Sequence, residues 1–286
     1  MQFWVIQTLN SLALGGLLFM LSSGFALIFG LMRIANLTHG SLFMIGAYIG
    51  ATVLREGYGL FEATIVAMIG VAILGGLIER FILRALGTNS QGQVLATLGL
   101  SFVAADACLM IWGGDPIPIN APEMFRDPLE LFGFMFPTYR LVVVGISCVI
   151  ALVLYLLMER TRLGAMIRAG VDDMQMARAV GIPASMLFTV VFCLGALLAG
   201  LGGTVGGPML NAYPGLDADM LPLALIVVIL GGVGSLIGTF VASFIIGFVY
   251  TFGIALVPDL AYVILFLPMV FVIAFRPSGL FGTIKA

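Results

Sequence analysis

Nine apolar runs, most of them close to twenty residues long, follow one another along this chain. They are Leu9–Leu31, Leu37–Leu54, Phe61–Leu83, Val94–Trp112, Leu141–Met158, Leu187–Pro208, Leu216–Leu230, Ser235–Val257 and Leu260–Phe275. A helix needs about 20 apolar residues to cross a bilayer core. Inside hydrocarbon every backbone N–H and C=O must be paired within the protein, which leaves only helices and closed barrels. Runs this continuous, without strict alternation, specify helices. The expected fold is therefore all-α, a polytopic membrane helix bundle forming one domain over residues 1–286. Leu216–Leu230 is short, a half-helix or a steep crossing, so the count is eight or nine transmembrane segments. Composition agrees: 62% of the residues are hydrophobic and 9% charged, against about 25% charged in soluble domains.

Charge sets an expected orientation. The segment Glu159–Ile182 holds Arg160, Arg162, Arg168 and Arg178 within otherwise apolar sequence. If this segment is cytoplasmic and nine runs cross, Arg33, Arg80, Arg84, Arg276 and Lys285 join it inside. Arg55, Arg126 and Arg140 then lie outside, the asymmetry the positive-inside rule describes. Most acids fall outside, Asp115, Asp217, Asp219 and Asp259 among them. Eight crossings would leave Arg276 and Lys285 outside, so nine is favoured, with the N-terminus outside and the C-terminus cytoplasmic. No positive charge precedes the first apolar run, so a standard signal peptide is not expected there. The proline-rich stretch 113–139 is the expected extracytoplasmic loop, either a docking surface or a plain connector.

Several function classes drop out. Net charge is −2, so no polybasic surface points to nucleic acid. Lys285 is the sole lysine, which excludes a Gly-x4-Gly-Lys-Ser/Thr phosphate loop and ATP hydrolysis of that kind. Cys108, Cys148 and Cys193 sit singly in apolar runs and read as buried small hydrophobes. One histidine and few membrane-depth acids supply no carboxylate pair, metal cluster or Ser-His-Asp set. Neither an enzyme nor a metal or cofactor site is expected.

Polar groups at membrane depth are functional candidates by default. Asn36, Thr38 and His39 cluster where two runs meet almost without a spacer. They suit a turn or gate, as helix-capping residues, and equally a substrate contact on unwound backbone. Asp106 either lines a pathway or sits near an interface. Stripes of small residues, Gly195-Ala199-Gly203-Gly207 and Gly40-Gly46-Gly50, suit close helix packing, within the chain or against a second subunit.

The segment Asp172–Val180 is rich in helix formers. Asp172 and Asp173 complement a helix N-terminus. Met174, Ala177 and Val180, with Met176 beside them, form an apolar patch, and Gly181-Ile182-Pro183 stops the helix. Such a helix inserts into a groove on a soluble partner, or lies at the interface with its arginines toward lipid headgroups.

Motifs in order along the chain carry a resemblance. They are Ala35-Asn36-Leu37-Thr38-His39-Gly40 with Gly46-Ala47-Tyr48, then Ala177 with Gly181-Ile182, then Leu198-Ala199-Gly200-Leu201-Gly202-Gly203. Leu230-Gly231-Gly232-Val233-Gly234-Ser235-Leu236-Ile237-Gly238 and Arg276-Pro277-Ser278-Gly279-Leu280-Phe281-Gly282 complete the set. Over nearly its full length the chain resembles the H-type inner-membrane permease subunit of the high-affinity branched-chain amino acid ABC transporters. The resemblance implies a multi-pass permease of the bacterial inner membrane that moves branched-chain amino acids. It implies a second homologous permease, two cytoplasmic ATP-binding subunits that hydrolyse ATP, and an extracytoplasmic solute-binding protein. It makes the loop of about 159–182 the segment that couples to an ATPase, with Arg168, Asp172, Asp173, Met176, Ala177 and Gly181 as its site residues. Against the importer pattern Glu-Ala-Ala-x3-Gly, only Ala177 and Gly181 match. Urea or short amides are alternative cargo within the family. A stand-alone ion-coupled transporter is the competing class, with Asp106 as its carboxylate.

Overall fold

The computed structural model describes residues 2–87, 89–131 and 133–282; Lys285 lies outside them. Each of the nine apolar runs is helical. Helices α1 (Gln2–Met32), α2 (Thr38–Arg55), α3 (Leu60–Leu77) and α4 (Ser90–Trp112) precede a short hairpin of β1 (Pro128–Leu131) and β2 (Phe134–Pro137). Then come α5 (Thr138–Arg160), α6 (Arg162–Asp172), α7 (Met174–Ala179), α8 (Ala184–Leu210), α9 (Leu216–Gly231), α10 (Leu236–Leu256) and α11 (Ala261–Phe275). Among the described residues six helices are long and apolar enough to cross a membrane: α1, α3 with its continuation to Leu86, α4, α5, α8 and α10. At 16 and 15 residues, α9 and α11 fall short of the about 20 that a full crossing takes.

The connections alternate between two ends of the bundle. One end carries the hairpin, whose strands pair antiparallel from Pro128 against Pro137 to Leu131 against Phe134. The other end carries α6 and α7. The stretch 113–139, read as loop, thus contains a hairpin and a bridge from Ile117 to Ala212, and its last two residues open α5.

Helix α1 runs through the centre and is buried on nearly every side from Leu17 to Ile28. It is held by α8, α10, α5 and α9. Close approach rests on paired small residues, because lipid gives helices little hydrophobic drive to associate. A Cβ on Gly24 would stand 2.5 Å from the Gly195 carbonyl, one on Gly46 2.6 Å from Gly200 Cα, and one on Gly247 2.6 Å from the Ser11 carbonyl. The small-residue stripes therefore serve contacts within the chain. The outer faces of α4, α5 and α11 present Phe102, Met110, Leu152 and Phe271. Cys108 is buried and Cys193 half-buried, whereas Cys148 is exposed on α5, so only the first is the buried small hydrophobe expected of all three.

Two helices start inside the bundle. After Met32 the chain turns at Arg33, whose φ is +54°, and residues 33–37 lead back alongside α1. The first turn of α2 is reached beside Leu21 and Phe25, about 16 Å from the end of α1 at 1.5 Å per residue. From the opposite end, residues 211–215 run inward and release α9 at Gly215, whose φ of +100° favours glycine. The first turns of α2 and α9 then abut: a Cβ on Gly40 would lie 2.8 Å from the Asp217 carbonyl.

Candidate functional site

Where α2 begins, Asn36, Thr38 and His39 come together as the sequence suggests, and all three are buried. Asn36 Oδ1 accepts from the Thr38 backbone N–H at 3.2 Å and from the Thr38 hydroxyl. It thereby satisfies a donor that the helix start leaves free. His39 Nε2 donates to the Leu21 carbonyl at 2.9 Å, and its ring lies 5.4 Å from that of Phe25. A carbonyl only accepts, so Nε2 carries the proton, and Nδ1 is buried without a partner, as is Asn36 Nδ2. This geometry fixes where α2 starts.

Asp106 does not join this group. It is exposed on the outer face of α4, among the exposed apolar side chains of Phe102, Val103 and Met110. The carboxylate that does approach is Asp217, whose Oδ2 accepts from Ser41 Oγ at 3.0 Å. Sequence reasoning put Asp217 outside with the other acids, while α2 starts from the opposite side. Both placements assume helices that begin at a surface. Because α2 and α9 begin in the interior, Asp217 meets the second residue after His39. The alternation of α8, a glycine turn and a short apolar run was the available signal.

A second missed feature lies in the continuation of α3. Residues Ile78–Leu83 form a π-helix, whose i→i+5 winding brings Glu79 and Arg84 together. Arg84 Nη2 sits 3.0 Å from Glu79 Oε2 and 3.0 Å from the Ser185 carbonyl. Thr189 Oγ1 donates to Glu79 Oε2 at 2.7 Å. The buried carboxylate thus has charge-assisted partners and locks the end of α3 onto the start of α8.

The segment from 159 to 182 forms two helices. Thr161 caps α6 by accepting from the Gly164 N–H at 3.1 Å. Arg168 donates to the Met158 carbonyl and lies 3.6 Å from Glu159 Oε1, closing the turn from α5. Asp172 ends α6, and the helix expected over Asp172–Val180 with the two aspartates at its N-terminus forms as α7, Met174–Ala179, with Asp173 before it. Asp173 Oδ1 caps α7, accepting from Gln175 N at 2.8 Å and Met176 N at 3.1 Å. The expected apolar patch splits. Ala177 is 1% exposed and Met174 packs inward against Leu31 and Leu187. Met176 at 62% and Val180 at 71% point away from the bundle. Gly181 ends the helix at φ +90°, where an L side chain is strained.

The same end holds the motif at 276–282. Leu280 N donates to the Leu230 carbonyl at 2.9 Å and Phe281 N to the Gly231 carbonyl at 3.0 Å, satisfying acceptors that the end of α9 leaves free. A cleft of about 240 Å³ lies between Arg168, Val171 and Asp172 of α6, the turn at Gly234, and Phe281. Arg33 donates to the Val171 carbonyl at 3.3 Å. Val171 of α6 thus lies close to Gly234, in the turn that follows the end of α9 remote from Asp217.

An all-helical bundle with six helices long and apolar enough to cross a membrane among the described residues defines a multi-spanning membrane protein. The chain belongs to the family described as branched-chain amino acid transport system / permease component, which matches residues 7–273. It is a transport permease rather than an enzyme. It is 26% identical to the high-affinity branched-chain amino acid transport system permease protein BraD of Pseudomonas aeruginosa, over 96% of this chain and 95% of that protein. It is 25% identical to the LivH permease protein of the same kind of system in Escherichia coli K12, over 98% and 96%. The ribose import permease RbsC of Escherichia coli K12 is 26% identical over 83% of this chain and 71% of its own length. No solved structure gives a significant match.

Proposed function

We propose that this chain, as a single transmembrane domain over residues 1–286, is a permease subunit of an ATP-driven importer for branched-chain amino acids. Its partners are a second, homologous permease, two cytoplasmic ATP-binding subunits and an extracytoplasmic solute-binding protein. It binds no cofactor itself; the ATP is hydrolysed by the partners. Full-length likeness to BraD and LivH supports the cargo. All nine apolar helices cross, α2 and α9 together with the segments before them and α11 together with the turn Pro258–Leu260, which agrees with their alternating ends. The α6–α7 end, rich in arginine, is cytoplasmic, as is the C-terminus, and the N-terminus is outside.

The observation that carries this reading is α7: a capped, one-and-a-half-turn helix that holds Met176 and Val180 out from a rigid base. It docks in a groove on an ATPase. Arg168, Asp172 and Asp173 shape its base, Ala177 lets it sit close to the bundle, and Gly181 turns the chain back. Movement of α7 passes through α6 and Gly234 to α9. Asn36, Thr38 and His39 hold the start of α2 beside the pathway. Asp106 has no part in it.

The test is Val180→Glu in the complex expressed with its ATPases. Val180 is exposed, so insertion and helix content should be unchanged, while ATPase co-purification and leucine uptake fall by an order of magnitude or more, as for a buried anchor lost from an interface. If the ATPases still co-purify and uptake persists, α7 is not the coupling helix.

A further inference from the structure

The junction of α2 and α9 contains a carboxylate and a hydroxyl that the packing of the bundle does not explain. Asp217 lies in the first turn of α9, with Ser41 Oγ at 3.0 Å. Among the described residues no arginine or histidine pairs with it. Asp217 is half-buried where the two helix starts abut, and an acid at membrane depth without a cation is by default a candidate for a pathway. Tyr48 is seven residues beyond Ser41, on the same face of α2. Its ring stacks on Trp112 at 4.9 Å, and a helical side chain leans toward the start of its helix, here toward Ser41. The Tyr48 residue is fully buried, and its hydroxyl has no hydrogen-bond partner. A buried hydroxyl without a partner is unfavourable unless something fills the place for part of the working cycle.

We infer that Asp217, held by Ser41 and supplemented by the Tyr48 hydroxyl, is the membrane-interior site that receives the ammonium group of an aliphatic amino acid in transit. This rests on the proposed import of branched-chain amino acids and names the group of the cargo that the permease itself contacts. The two abutting helix starts, each the positive end of a helix dipole, suit the cargo's carboxylate, as half-helix ends do in other transporters. An apolar groove of about 460 Å³ begins at Thr38 and Ser41, passes Ile45 and opens at the exposed Leu77, Phe81 and Val103, which suits an aliphatic side chain. Urea and sugars, which lack a cation, leave Asp217 unpaired.

The experiment measures radiolabelled leucine uptake by the assembled complex in proteoliposomes at saturating binding protein. Asp217→Asn keeps the shape and removes the charge; loss of a hydrogen bond to a charged group should lower uptake about 10- to 100-fold. Asp217→Glu should restore most of it, which a packing role would not allow. Tyr48→Phe removes only the unpartnered oxygen and should lower the maximal rate while leaving ATPase co-purification intact. Uptake unchanged in Asp217→Asn overturns the site and leaves the importer reading standing, as does equal loss in Asp217→Asn and Asp217→Glu. A wild-type complex that takes up none of leucine, isoleucine and valine overturns both.

Discussion

Replacing Gly46 by alanine tests whether the α2–α8 contact sets the position of the candidate site. The new Cβ would stand 2.6 Å from Gly200 Cα and 2.8 Å from the Gly200 carbonyl. Both are backbone atoms, so no side chain can swing aside. Carbon atoms pack at about 3.5–4.0 Å, and the two helices must part by about 1 Å at this crossing. Overpacking of this size costs about 1–3 kcal/mol. Gain in helix propensity offsets about 0.5–1 kcal/mol of that. The net loss of about 1–2 kcal/mol corresponds to a fall of roughly 2–8 °C in the thermal midpoint. Gly145 supplies the control, since a Cβ there meets nothing within 4 Å and alanine only gains propensity. Thermal unfolding of purified protein in detergent, followed by size-exclusion or circular dichroism, reads both. Because α2 carries Ser41 and Tyr48, leucine uptake by Gly46→Ala should fall further than its protein level does. Equal midpoints for the two variants, or a rise in Gly46→Ala, would refute the close-packing argument.

Two other perturbations address features outside that contact. Arg84→Ala leaves the buried Glu79 carboxylate with Thr189 alone. Removing one partner of a buried ion pair costs about 3–5 kcal/mol, reduced here to about 2–3 because the Arg84 side chain is 38% exposed and partly screened; the double change Glu79→Gln with Arg84→Met should recover most of the lost midpoint. Asp173→Ala removes the α7 cap, worth about 1 kcal/mol, so ATPase co-purification and uptake should fall with little change in overall stability, and Asp173→Asn, which keeps a capping oxygen, should retain both.

How far the sequence could be read depended on what each feature needed. The nine helices were legible because hydrocarbon forces continuous apolar runs. The turn at Asn36, Thr38 and His39 was legible because helix starts demand polar caps. The start of α7 was legible from Asp172 and Asp173, which favour helix N-termini, but the separate helix α6 before it was not, since that stretch read only as a charged segment. Nor was the inward face of Ala177, which depends on how α7 leans on α8. The approach of Asp217 to Ser41 was not legible, because charge counting assigns a residue to a side from its neighbours in sequence and says nothing of which helix starts meet. The Glu79–Arg84 pair was hidden by a spacing of five, which an ordinary α-helix does not bring together.

The sequence by itself determined the solvent and the elements. Backbone groups in lipid must be paired locally, so a chain with 62% hydrophobic residues in runs of this length has helices as its answer, and its sole lysine excludes a Gly-x4-Gly-Lys-Ser/Thr phosphate loop. Only the tertiary structure decided depth. Gly46 against Gly200 and Gly24 against Gly195 set how far each helix slides along its neighbour, and that sliding puts the starts of α2 and α9 together in the interior. Apolar runs carry no information about that offset, because hydrocarbon is the same at every level; the small residues that encode it act only in pairs, across helices far apart in the chain.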